Sequence, residues 1–109
     1  MKKTIIFAAV LGFAAALTAS ASDAKGNWDT LCAKCHGGDG KGQTNIGRRL
    51  GVKDYSDPKV QAALTDDAAF KATKEGLNSK YGKILMKPYS DLSDDDIKGL
   101  VTYMRTFKK

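Results

Sequence analysis

The sequence predicts an all-α domain: four or so short helices joined by long loops. Three observations point that way. Ile97, Leu100, Val101, Met104 and Phe107 recur with the 3.6-residue period of a helix that buries one face. Helix-start signals appear at Asp57-Pro58, at Thr65-Asp66-Asp67 and at Ser93. No stretch alternates apolar and polar residues for long enough to make a useful strand.

Taken in order, the chain opens on Met1-Lys2-Lys3, runs apolar from Ile5 to Leu17 and reaches Ala19-Ser20-Ala21. A basic start, an apolar middle and a small-residue cleavage site read as a secretory signal peptide over 1–21. The apolar run of 13 residues is short for a membrane span. The mature chain is then 22–109, one small exported domain with a bacterial periplasm as its expected location. Asp23 is placed to cap a first helix over Ala24–Lys34, with Ala24, Trp28 and Leu31 on one face. Gly37-Gly38-Asp39-Gly40-Lys41-Gly42 reads as a tight loop. A phosphate cradle is a poor fit there, because no strand precedes the loop and no G-K-[ST] follows. Gln43–Gly51 reads as irregular, anchored by Ile46 and Leu50.

Asp57 as N-cap and Pro58 at the first helical position start a short helix through Ala63. Thr65-Asp66-Asp67 start another that runs to Glu75 and stops at Gly76. Its acids come first and Lys71 and Lys74 last, which suits the helix dipole. Ala69, Phe70 and Thr73 mark its inner face. Leu77–Asp91 reads as a loop containing Met86, Pro88 and Tyr89. Ser93 caps the last helix, with Leu92 and Ile97 set as a hydrophobic staple and Lys108 and Lys109 at its end.

Loss of the leader removes Lys2 and Lys3, so the formal charge falls from +6 to +4. The charge is interspersed, without a dense basic run carrying aromatics, so nucleic acid is not an expected partner. A domain of this size has a thin core and commonly needs a metal, disulfides or another staple.

The chain's two cysteines and its one histidine stand together in Cys32-Ala33-Lys34-Cys35-His36. Thiols three positions apart lie about one helical turn from each other, so each can add to one of two neighbouring vinyl groups on a haem edge. The imidazole that follows can then ligate the iron. C-x-x-C-H is the spacing of a c-type haem attachment site, and a proximal His is the usual haem ligand. A disulfide and a thioredoxin-like pair are the duller readings. The second needs a βαβ frame, which the pattern lacks. A zinc site needs a fourth ligand, and no further Cys or His is present.

One histidine excludes bis-His ligation within the chain, so a sixth ligand comes from Met86, Met104, a lysine, water or nothing. Met104 continues the apolar stripe of the last helix, where packing explains it. Met86 stands in a loop with Pro88 next but one, and a thioether there can be offered across a haem. Met/His ligation raises the reduction potential.

The motif C-A-K-C-H at Cys32–His36, the following G-x-G-K-G-Q, M-K-P-Y at Met86–Tyr89 and the closing L-V-x-Y-M-R of Leu100–Arg105 resemble a small, soluble bacterial class I cytochrome c of the single-haem, His/Met type. The resemblance spans essentially the whole mature chain. It implies the class I cytochrome c fold around one covalently bound haem c. Cys32 and Cys35 would form the thioethers, with His36 proximal and Met86 distal on the iron. It further implies that the first and last helices cross, Trp28 with Ala24 against Leu100 and Tyr103, with Gly99 allowing close approach. One departure is Gly47-Arg48-Arg49-Leu50, where the family often has Gly-Pro-x-Leu. An Arg48 carbonyl could still accept the imidazole's other N–H.

The expected function is one-electron transfer between redox protein partners, a membrane or periplasmic donor and acceptor, by a monomer that does not span the membrane. No acid/base pair or nucleophile constellation accompanies the motif, so an enzyme is not the expectation. Lys34, Lys41, Lys80, Lys83 and Lys87 could ring an exposed haem edge and steer docking. An open-site haem enzyme or sensor of peroxidase-like character, and a haem subunit of a larger oxidoreductase, are the alternatives.

Overall fold

The computed structural model describes residues 23–109, so the leader expected over 1–21 lies outside the described residues. Five helices and one small hairpin follow in order. The first helix, α1, covers residues 24–36 in three joined parts: Ala24–Asn27, a π-helical turn at Trp28–Cys32, and Ala33–His36. It thus extends past the expected Lys34 and carries the whole C-x-x-C-H motif. Asp23 makes no side-chain capping bond, contrary to expectation.

The stretch 43–51, expected to be irregular, contains α2 at Asn45–Leu50. Its signals are local: the Thr44 hydroxyl accepts from Gly47 N–H, and Gly51 closes the helix at φ 74°. The next helices, α3 at Pro58–Ala63 and α4 at Asp66–Glu75, start where the caps placed them. Asp57 accepts from Lys59 N–H and Thr65 from Ala68 N–H. On α4 only Ala69 of the expected inner face is buried; Phe70 and Thr73 are half-buried.

The all-α expectation needs one amendment. Leu77–Asn78 (β1) and Ile84–Met86 (β2) pair antiparallel, with Leu77 opposite Met86. Two and three residues are too few for a period to show in a sequence, so Met86 ends a strand of a hairpin within the expected loop. The last helix, α5, is Asp94–Arg105, with the Ser93 hydroxyl accepting from Asp96 N–H. It stops before Phe107, Lys108 and Lys109.

The core lies where α1 crosses α5. Trp28, Cys32, Ala69, Leu100, Val101 and Met104 form one buried cluster, with Leu31, Tyr55, Leu92, Tyr103 and Phe107 packed against it. Trp28 faces Tyr103 at 6.0 Å and Phe107 at 5.1 Å between ring centroids. At Gly99 a Cβ would stand 3.7 Å from the Ala24 Cβ, which is van der Waals contact. The two helices therefore meet at Trp28 and Tyr103 and at Ala24 and Gly99. Phe107 leaves the helix yet still reaches the core, because Gly40 takes φ 73° and has no Cβ to strike the Phe107 ring.

Arg105 ties the outer elements to α5. Its guanidinium donates to the Gln61 carbonyl and Oε1, both at 2.8 Å, and pairs with Asp66 at 2.8 Å. Buried Gln61 in turn donates to the carbonyls of Tyr55 at 2.7 Å and Met104 at 3.1 Å. One side chain thereby fixes the ends of α3 and α4 against α5.

Candidate haem site

The site is built first from α1. Cys32 is buried and Cys35 half-buried, and both are free thiols. Burial, with the neighbouring Cys35 thiol second, pushes the Cys32 thiol up to about 11. The thiolate is the nucleophile, so Cys32 reacts poorly once the chain has closed around it.

His36 sits between two aromatic rings. Tyr55 stacks on it at 5.4 Å and 25°, and Trp28 lies on it tilted at 5.6 Å. The backbone around it is pinned as well. Gly42 N–H donates to the His36 carbonyl at 2.8 Å, and Trp28 Nε1 donates to the Gly37 carbonyl at 2.9 Å. Thr44 Oγ1 donates to the Cys35 carbonyl at 2.8 Å. The Gly-rich loop therefore returns onto the motif and holds it in place.

His36 Nδ1 is buried without a hydrogen-bond partner, so the Arg48 carbonyl does not receive it as expected. The Arg48 side chain turns instead to the Gln43 carbonyl. Burial holds the imidazole's pKa below its ordinary 6.5, which favours the neutral, ligating form.

Met86, at the end of β2, is half-buried beside exposed Ile84 and Leu85. Met104 is 4% exposed and belongs to the core, as its stripe predicted. Lys80, Lys83 and Lys87 are exposed on and next to the hairpin, as is Lys34 on α1, while Lys41 is half-buried.

This donor set fits a covalently attached haem. Two thiols stand one turn apart on a helix, and the next residue is an imidazole walled by aromatic rings. A closed metal site is a poorer fit: among the described residues, no three His, Cys, Asp or Glu side chains converge to hold an ion. Sequence reasoning missed Tyr55 as the ring stacked on His36. No local pattern carries that contact, since the two are 19 positions apart and meet only through the folded loop.

Residues 19–104 match the family described as cytochrome C oxidase, cbb3-type, subunit III. This chain belongs to the cytochrome c family. A solved structure of the KustC0563 c-type cytochrome is similar to it, with 31% identity and a TM-score of 0.69, covering 80% of this chain and 99% of that one. A single-substitution mutant of that same protein matches with 30% identity and a TM-score of 0.66, covering 79% and 99%. No curated protein matches. Membership of the cytochrome c family implies covalent haem and electron transfer, and the Cys32–His36 motif agrees with it. Among the described residues of this cytochrome c domain, no helix is long and apolar enough to cross a membrane.

Proposed function

We propose that this cytochrome c domain is an exported, periplasmic one-electron carrier with His/Met ligation of its haem iron. Cys32 and Cys35 would form the thioethers, and His36 and Met86 would ligate the iron. When bound, the haem supplies one-electron chemistry as its iron changes between ferric and ferrous. The chain's own residues orient and shield. Tyr55 and Trp28 fix the plane of His36, and the hairpin presents Met86 beside the apolar side chains Ile84 and Leu85. A thioether together with an imidazole on the iron would favour the ferrous state and so raise the potential.

The observation that carries this reading is the division of the mature chain's two methionines. Met104 is 4% exposed in the α1–α5 core, which leaves Met86 on its hairpin as the free thioether. Exposed Lys80, Lys83 and Lys87 around that hairpin favour an acidic redox partner. Absorption spectra of the oxidised and reduced haem-loaded protein, with a redox titration, test it. A low-spin oxidised form with the weak sulfur-to-iron band supports the carrier. A high-spin oxidised form that binds carbon monoxide rapidly once reduced would move the reading to an open-site enzyme or sensor.

A further inference from the structure

Tyr89 follows Met86 across Lys87 and Pro88. Its hydroxyl donates to the Leu31 carbonyl at 2.9 Å and joins residues 58 positions apart. Leu31 lies in the π turn of α1, directly before Cys32. Such a turn interrupts the ordinary helical hydrogen-bond ladder and recurs at functional sites, and here a carbonyl within it takes a side-chain donor.

The rest of the Met86 segment is held from the other side. Tyr89 N–H donates to the Thr73 carbonyl at 2.9 Å, on the last turn of α4. A Cβ at Gly76 would fall 2.6 Å from the Met86 carbonyl oxygen and 2.9 Å from the Pro88 nitrogen, so this backbone rests directly on the glycine. Those contacts tie Met86 to α4 and its exit. The Tyr89 hydroxyl reaches α1 itself, the helix that carries Cys32, Cys35 and His36.

We propose that Tyr89 is a positioning residue for iron ligation: its hydroxyl fastens the segment bearing Met86 to the helix bearing His36, and so fixes the reach between the two ligands. The inference rests on the reading of Met86 as distal ligand. Without the hydroxyl, the Met86 segment separates from α1 more readily, and a competing ligand enters at lower concentration. A net hydrogen bond of this kind shifts such an equilibrium by about fivefold. The ring has packing of its own, with the Lys87 ammonium 5.2 Å from its centroid, so Tyr89→Phe removes the hydroxyl alone.

The test is an imidazole titration of the oxidised, haem-loaded protein, read by loss of the sulfur-to-iron band. Tyr89→Phe should bind imidazole about fivefold more tightly than the parent. Asp57→Ala, which loses the cap on α3 away from the hairpin, should bind it as the parent does. In a Met86→Ala background, where imidazole binding is followed in the Soret region, adding Tyr89→Phe should change nothing, because no thioether remains to be held. Unchanged affinity in Tyr89→Phe overturns the positioning role, as does equal tightening in Asp57→Ala or a persisting effect without Met86. A parent with no sulfur-to-iron band overturns the Met86 assignment and this role with it. A parent with the band and a flat Tyr89→Phe response overturns the positioning role alone.

Discussion

At the scale of single residues, Met86 and Met104 carry the sharpest contrast, because the proposed function uses the same side chain once for chemistry and once for packing. Met86→Ala should abolish the sulfur-to-iron band, lower the midpoint potential and confer peroxidase-like reactivity. Met104→Ala should keep the band and lose about 2–5 kcal/mol of stability through the cavity it leaves. Spectra and denaturant titrations of both variants separate the two roles, and a band that survives in Met86→Ala but vanishes in Met104→Ala reverses the assignment. His36 adds a dependence on pH. Its pKa is depressed below 6.5 by burial, so the unfolded chain binds a proton more readily than the folded one. The stability it contributes is complete above 6.5 and is lost as pH falls toward the depressed value; iron ligation, which also needs the unprotonated nitrogen, acts with the same sign. Circular dichroism across an acid titration should show that loss starting below about 6.5, and constant stability from there down to pH 5 would contradict it.

At the scale of elements, the α1–α5 crossing and the Arg105 clamp do different work. The crossing is an apolar contact between two helices far apart in the chain, so its two sides depend on each other. Large-to-small changes at Trp28 or Tyr103 should each cost about 3–5 kcal/mol. The double variant should cost less than the sum, because the shared contact is lost once; strict additivity in denaturant melts would show that the rings are energetically independent. The Arg105 clamp is polar and half-exposed, and its worth lies in satisfying Gln61 and the ends of α3 and α4. Arg105→Met keeps much of the apolar stem and should cost about 1–3 kcal/mol, measured the same way, with the haem spectrum unchanged.

For the whole molecule, the limiting quantity is apolar burial. Trp28, Cys32, Ala69, Ile97, Leu100, Val101 and Met104 are the buried apolar residues among those described, a small set against the ordering entropy of such a chain. Haem attachment is therefore expected to be inseparable from folding. Burial pushes the Cys32 thiol up to about 11, which makes it a poor nucleophile in the closed chain, so attachment is expected while the chain is still open. Replacing both Cys32 and Cys35 by Ala should yield a largely unfolded or rapidly degraded product. A stable, helical, haem-free double variant by circular dichroism would refute this coupling.

What the sequence determined by itself is local or carried by residue identity. The C-x-x-C-H spacing, the caps at Asp57, Thr65 and Ser93, and the apolar stripe of α5 are short-range patterns, and the structure keeps each of them. Thr44 and Gly51 were equally local signals for α2, though weaker ones, with only six helical residues between them. Tertiary structure decided the rest, because the deciding partners are far apart in the chain. The hairpin at 77–86 has strands too short for a period and is held by Gly76, Thr73 and Tyr89. The ring stacked on His36 comes from Tyr55 on a returning loop. The Nδ1 of that histidine is left without a hydrogen-bond partner in the folded chain. The Tyr89 hydroxyl reaches Leu31 across 58 positions. Spacing within a helix is set by bond geometry and can be read from a sequence, whereas such contacts exist only after the chain has closed on itself.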